Sequence, residues 1–365
     1  MKIMYCITSS SWGGAQLHVL ELCQNQMKRG NKVIFLVGNN GPLLEKVRRI
    51  KGVRVILLPS LVREISFVKD ITAVIKLRKI IKRERPDIVH LHSSKAGTLG
   101  RIASIGLNCK VIFTVHGWAF TEGVNSKIKK FIYRTIEKSV SRFTDLFICV
   151  SEYDRNLGME RGVLNPNSHV AVIHNGSVMP EKSKVNFSVH SPVRLVMTAR
   201  FSAQKNQEGL IRAIKGLPKE SYRLTFVGDG DTIQQCKSLV KRLKLNENIK
   251  FVGFKDDVSQ YLISNDIYLL ITHYEGLPIS IIEAMSYGMP IIASDVGGNS
   301  ELVENGENGY LVSSSDEIKK SILELMNNFS LIRKMGKKSY NIYKNNLTIQ
   351  ENMNSINSEY EKLLS

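Results

Sequence analysis

The sequence predicts an α/β protein built from two doubly wound domains, and three observations carry that reading. Short β-rich runs alternate with helically patterned stretches along almost the whole chain, the signature of β-α-β units. Many of the β runs are continuously apolar and do not alternate, as expected of parallel strands covered on both faces. At 365 residues the chain is too long for one ordinary core, and the series breaks once, near 175–190.

In the first set, strands are predicted at 3–8, 32–37, 53–57, 87–91, 110–115 and 146–150, each rich in Ile, Val, Leu and Phe. Helices at 16–29, 68–84 and 128–142 fall between them, with apolar residues recurring at three- and four-residue intervals. The seam follows: Asn175-Gly176, then Pro180, then charged residues with little periodicity. The second set has strands at 193–198, 223–227, 249–252, 267–271 and 290–293, with helices at 233–243 and 279–287 among them. The domains are therefore placed at 1–178 and 179–345, with a helical tail at 346–365. Two such sheets in tandem are expected to face each other across a cleft at the C-terminal ends of their strands, where ligands bind in open α/β sheets.

Composition excludes several classes. Apolar residues make up 43% and charged residues 23%, which rules out a disordered or collagen-like chain. No apolar run approaches the ~20 residues that cross a bilayer, and the patch from Ile3 to Ile7 is too short for a signal-peptide core. A cytoplasmic location is expected. The five cysteines are scattered and lack Cys-x-x-Cys spacing, so they read as reduced thiols. Residues 1–175 carry 28 Lys and Arg against 12 Asp and Glu, while the remainder is nearly balanced, at 23 against 21. Something anionic should meet the first half: nucleic acid, an acidic membrane surface or a phosphorylated substrate.

Chemistry concentrates in Glu275-Gly276-Leu277-Pro278-Ile279-Ser280-Ile281-Ile282-Glu283. Glu275 falls just past a strand, Pro278 suits the first position of a helix, and Glu283 lies further along its inner side. The helix start would aim free N–H groups and partial positive charge at a phosphate. A carboxylate at the loop and another in the helix could hold two hydroxyl-bearing sugars flanking that phosphate. Either glutamate alone could equally be a cap or a solvent-facing residue; the combination with Gly and Pro inside is more specific.

This E-x7-E segment resembles the signature of the retaining glycosyltransferases of family 4, which have the two-domain GT-B fold. Further segments match in order. Trp12-Gly13-Gly14-Ala15 resembles the family's N-terminal glycine loop, Val115-His116-Gly117 its histidine, and Ile173-His174-Asn175-Gly176 its interdomain segment. Arg200-Phe201-Ser202-Ala203-Gln204-Lys205 resembles its Arg-x4-Lys loop, and Gly297-Gly298-Asn299-Ser300-Glu301 its second glycine turn. The resemblance implies that Arg200 and Lys205 grip the diphosphate of a nucleotide sugar, read here as UDP-linked. It implies that Glu283 binds the ribose, that Glu275 binds the donor sugar, and that His116 meets the donor sugar or the charge developing beside it. Donor contacts are accordingly expected from Gly14, Arg200, Lys205, Glu275, Gly276, Leu277, Pro278 and Glu283. Catalytic roles fall to His116, Arg200, Lys205 and Glu275. It also implies retention of anomeric configuration and a tail at 349–364 that crosses back to the first domain.

A guanidinium forks onto phosphate and an ammonium adds a point charge, and together they would neutralise a departing diphosphate. Gly13 and Gly14 let backbone approach a ligand at a helix start, although a bare glycine pair is often only a turn. His90, His92, Ser93 and Lys95 cluster at another strand end; Gly13, Ser93 and Lys95 are assigned to the acceptor. Asp229-Gly230-Asp231 looks like a metal-binding D-x-D, but it opens a helix, where aspartates cap. No metal and no cofactor beyond the nucleotide sugar are expected.

The stretch 127–142 is a basic amphipathic helix with Ile128, Phe131, Ile132, Ile136 and Val140 on one face. Such helices bind anionic membrane, or simply pack their apolar face on a sheet. With the N-terminal charge surplus, membrane contact is the reading adopted. The stretch 90–97 with Val115-His116-Gly117-Trp118 resembles bacterial transferases that build surface polysaccharides (O-antigen, capsule, exopolysaccharide) on lipid-diphosphate-linked saccharides. That implies a peripheral enzyme on the inner face of the cytoplasmic membrane. A cytosolic transferase with a soluble acceptor is the rival. A nicotinamide enzyme would need G-x-G-x-x-G after its first strand, and Ser10-Ser11-Trp12-Gly13-Gly14-Ala15 lacks it. A nucleic-acid-binding protein is disfavoured because aromatics do not interleave with the basic runs.

Overall fold

A computed structural model describes residues 1–121, 126–181, 185 and 187–365, so part of the predicted seam (182–184 and 186) lies outside the described residues. The chain divides into two compact units, Met1–His174 with Asn352–Ser365, and Asn175–Glu351.

The first unit is wound around seven strands: β1 (Lys2–Ile7), β2 (Lys32–Val37), β3 (Arg54–Leu57), β4 (Ile88–His92), β5 (Lys110–Val115), β6 (Leu146–Cys149) and β7 (Val170–Val172). All neighbours are parallel, in the order β3-β2-β1-β4-β5-β6-β7. Between the strands run α1 (Gly14–Lys28), α2 (Pro42–Arg48), α3 (Phe67–Glu84), α4 (Ser94–Ser104), α5 (Lys127–Ser141) and α6 (Glu152–Glu160). The central strands are apolar throughout because both faces are covered: Ile3 to Ile7 of β1 are fully buried. On one face Met4, Leu91, Phe113 and Phe147 form a continuous core with Leu77 and Ile81 of α3 and Leu99 and Ala103 of α4. The strand order reverses between β1 and β4, where Ile7 pairs with His92. Ligands bind in such sheets beyond the carboxyl ends of the strands at this reversal.

α4 and α5 are tied by a buried ion pair. Arg101 donates through Nη2 to Glu137 Oε2 at 2.5 Å and through Nε to the Gly97 carbonyl at 2.8 Å, with its guanidinium 4.5 Å from the centre of the Phe113 ring. The apolar face read along α5 is only partly used. Val140 is buried and Ile136 half-buried, but Ile128 is 73%, Phe131 60% and Ile132 42% exposed. Ile65, Phe67 and Val68, at the start of α3, are exposed as well.

The second unit repeats the winding with β8 (Val193–Thr198), β9 (Tyr222–Val227), β10 (Ile249–Phe251), β11 (Ile267–Leu270), β12 (Ile291–Ser294) and β13 (Gly309–Val312). The order β10-β9-β8-β11-β12-β13 is again all parallel and reverses between β8 and β11. Its helices are α7 (Gln207–Ala213), α8 (Ile233–Arg242), α9 (Ser259–Ile263), α10 (Ile279–Ser286), α11 (Ser315–Met326) and α12 (Phe329–Asn346). The last helix, α13 (Ile349–Leu364), belongs to the first unit from Asn352 onward. There the Tyr360 hydroxyl bonds His90 Nδ1 at 2.5 Å and lies 3.3 Å from the Tyr5 hydroxyl. Edge strands β7 and β13 were not expected from the sequence: at three and four residues, they are too short to show a period.

Candidate active site

In the second unit, three loops are laced together around the β8/β11 reversal. The loop after β8 carries Arg200 and Lys205. Gln204 on it donates to the Tyr274 carbonyl at 2.8 Å, and its own carbonyl accepts from His273 N and Thr272 Oγ1. The loop after β12 closes on the same segment: Gly298 N–H donates to the Gly276 carbonyl at 2.8 Å. Gly297 sits at φ 58°, and a Cβ there would lie 2.0 Å from the Glu275 carbonyl, so only glycine permits this approach. Asn175 Nδ2 donates to the Leu277 carbonyl at 2.8 Å, fixing the backbone just before α10.

Lys205 and Glu275 meet as an ion pair, Nζ to Oε1 at 2.5 Å, with the side chains 18% and 7% exposed. Arg200, five residues earlier on the same loop, is exposed, and its guanidinium has no partner among the described residues. Pro278 stands one position earlier than expected: it caps α10, and Ile279 is the first helical residue. Ile281, Ile282, Ala284 and Met285 are fully buried, which leaves Glu283 on a half-buried flank of the helix. Burial of the Glu283 carboxyl, together with the negative charge of Asp257, pushes its pKa up from 4.5 to about 7.

Asp229-Gly230-Asp231 braces the Arg200 loop. Phe201 N–H donates to the Asp229 carbonyl at 2.9 Å, and Asp229 Oδ1 accepts from Gly230 N–H. A Cβ on Gly230 would lie 2.2 Å from the Phe201 carbonyl.

In the first unit, the candidates gather at the β1/β4 reversal. Gly13 caps α1 and Gly14 opens it, but α1 has no acidic residue in its first turn. Ser93 caps α4 at φ 71°, a left-handed conformation that costs a serine energy. Its hydroxyl bonds Thr8 Oγ1 at 2.8 Å, and Thr8 Oγ1 accepts from Ala96 N–H. Lys95 is held by Asp70 of α3 at 2.5 Å, in a pair 14% and 18% exposed. Ser93 and Lys95, two of the three acceptor candidates, thus already have side-chain partners within the fold.

His116 follows β5, half-buried, and shares a 3.0 Å hydrogen bond between its Nε2 and His92 Nδ1. His92 lies between His90 and His116, with ring centroids 4.2 and 5.3 Å away. His90 is locked by Tyr360 and by Thr114 Oγ1 at 2.6 Å. Desolvation holds His90, His92 and His116 well below the usual histidine range, and neighbouring imidazoles add to it. His18 of α1 completes the group, its pKa lowered by burial to about 4. Sequence reasoning passed over His18. The available signal was its place in the helix after β1, beside the strand whose last residue is His92.

Two all-parallel sheets of this order, each with its candidate residues at the strand reversal, define the class: a GT-B glycosyltransferase. The chain belongs to glycosyltransferase family 4, group 1: residues 12–177 match the model described as Glycosyltransferase Family 4, and residues 178–342 match Glycosyl transferases group 1. It is 32% identical over 294 residues to the Escherichia coli UDP-Gal:alpha-D-GlcNAc-diphosphoundecaprenol alpha-1,3-galactosyltransferase, covering 76% of this chain and 75% of that one. It is 30% identical over 317 residues to the Escherichia coli O-antigen biosynthesis glycosyltransferase WbnH, covering 87% of each. In fold it is similar to Anabaena HepE, solved in complex with UDP and glucose, with a TM-score of 0.83, 22% identity and 99% of each chain covered.

Proposed function

We propose that the enzyme transfers a hexose from a UDP-sugar to a lipid-diphosphate-linked saccharide, with retention, in the synthesis of a bacterial surface polysaccharide. The observation that carries this reading is the loop after β8, which holds an exposed Arg200 without a side-chain partner among the described residues and a Lys205 paired with Glu275, in the loop that leads into α10. Arg200 forks onto the diphosphate, and Lys205 exchanges its carboxylate for phosphate as the donor arrives. The first-turn N–H groups of α10 add partial positive charge. As the sugar–phosphate bond breaks, charge builds on the leaving diphosphate, and fixed cations stabilise that stage most. With two cations and a helix start in place, the diphosphate needs no metal. Glu275, released from Lys205, accepts hydroxyls of the donor sugar, and Glu283 those of the ribose. His116, a neutral imidazole, serves the donor sugar. Gly13, Gly14, Ser93 and Lys95 serve the donor and acceptor from the first unit; Ser93 and Lys95 must trade partners with Thr8 and Asp70 to do so.

The acceptor half of the proposal draws on the galactosyltransferase relative, whose named acceptor is a diphosphoundecaprenol-linked GlcNAc. It also draws on the exposed apolar starts of α3 and α5. Phe67 and Val68 on one, and Ile128, Phe131 and Ile132 on the other, stand among Lys69, Lys127, Lys129 and Lys130. Apolar side chains ringed by cations suit an anionic bilayer surface, and the enzyme is peripheral there. No described helix is long and apolar enough to cross a membrane.

The test is transfer of labelled galactose and other hexoses from UDP-sugars to GlcNAc-diphosphopolyprenol in the presence of EDTA. The proposal expects lipid-linked product of retained configuration with the chelator present. Glycosylation of free saccharides, with the lipid-linked acceptor left untouched, would replace it with the soluble-acceptor reading.

A further inference from the structure

Three imidazoles in the first unit are grouped closely enough to share one metal ion. His18 comes from the second turn of α1, His92 from the last residue of β4, and His116 from the residue after β5. One ring nitrogen from each lies within 4.8 Å of the others. Ring centroids are 5.3 Å apart for His18–His116 and for His92–His116, and 5.9 Å apart for His18–His92. A tetrahedral ion bonded about 2.0–2.1 Å from each nitrogen would set the centroids about 5 Å apart. The rings are therefore already near the required spacing.

The second observation is hydrogen bonding. Both ring nitrogens of His18, and Nε2 of His92, are buried without a hydrogen-bond partner among the described residues. Asn352 is close enough to oppose the lowering of the His18 pKa, yet does not reach hydrogen-bond geometry with either nitrogen. Orphaned buried polar atoms call for a missing partner, an ion or a water. A neutral imidazole carries one lone pair, so an ion seated on His92 Nδ1 and His116 Nε2 would replace the 3.0 Å hydrogen bond they share. An all-imidazole set selects zinc, cobalt, nickel or copper and not magnesium or calcium. His18 and His92 are closed off, while His116 is half-exposed, which leaves one side for entry and for a fourth ligand.

We propose that His18, His92 and His116 form a three-histidine site for a divalent ion of the zinc class, and that the bound ion inhibits sugar transfer by withdrawing His116. The inhibitory half rests on the role given to His116 above; the binding half does not.

Cobalt chloride, added to the full-length protein, separates the two. Binding predicts a saturable one-to-one visible absorption band of tetrahedral cobalt that zinc chloride competes away. His18→Gln and His92→Gln, each checked for folding by circular dichroism, should weaken binding by more than about a hundredfold, beyond what losing an outer-shell partner costs. No band in the wild type, or undiminished binding in His18→Gln, overturns the site and leaves water or Asn352 as the partner of His18. Zinc should also lower the transfer rate of the wild type by a larger factor than that of His18→Gln. If cobalt binds as described but zinc leaves wild-type transfer unchanged, the site stands, and the inhibitory half falls together with the role of His116.

Discussion

Glu283 gives the account a stability signature with a definite sign. Its carboxyl titrates near 4.5 in an unfolded chain and about 7 in the folded one, because burial first, and Asp257 second, disfavour the charge. Between those values the folded protein keeps a proton that the unfolded chain has released. The group's stabilisation is fully present below about pH 4.5 and is lost as pH rises through 7. A rise from 4.5 to about 7 corresponds to about 3 kcal/mol at full ionisation. Since Glu283 keeps part of its surface in water, about 2 kcal/mol is a better figure. For a unit the size of 175–351, that is a melting shift of roughly 4–8 °C. Glu283→Gln mimics the protonated form, so wild type and variant should melt together at pH 4. By pH 8 the variant should be the more stable by that margin. UDP affinity should move the opposite way: in the proposed role, ribose hydroxyls donate to the ionised carboxylate, so from pH 6 to 8 wild-type binding should tighten about tenfold more than that of the variant. A melting difference that is constant from pH 5 to 8 would refute the reasoning.

Two further outcomes follow from particular contacts. Ile128→Ser with Phe131→Ser alters only exposed side chains. The pair should weaken co-sedimentation with phosphatidylglycerol vesicles by at least about tenfold while leaving UDP binding intact; unchanged sedimentation would move the membrane contact elsewhere. Glu137→Gln leaves the buried Arg101 guanidinium uncompensated and should cost about 3–5 kcal/mol in urea unfolding. Arg101→Met combined with Glu137→Leu should recover most of that loss.

The architecture was legible because buried parallel strands are written as unbroken apolar runs, and runs such as Lys32–Val37 and Val193–Thr198 fall where expected. Glu275 to Glu283 was legible too, since a loop, a proline and a short helix are local features. Long-range pairing was not. Nothing in the sequence says that Lys205 is parked on Glu275, 70 residues away, or Lys95 on Asp70. Periodicity marked the apolar face of α5 but not which part of it is covered, so the exposure of Ile128, Phe131 and Ile132 emerges only in the fold. His18 was hidden for the same reason: in the sequence it is one polar residue in an apolar helix face, and only the winding of β1, β4 and β5 brings it to His92 and His116.

The central claim is that Arg200 and Lys205 hold the donor's diphosphate. Calorimetric titration of UDP into the wild type and into Arg200→Ala with Lys205→Ala tests it without requiring the acceptor or the correct sugar. The double substitution should cost at least about a hundredfold in affinity, as expected for two charge-assisted phosphate contacts. The loss should shrink as salt is raised. UDP bound equally well by the doubly substituted protein would contradict the claim.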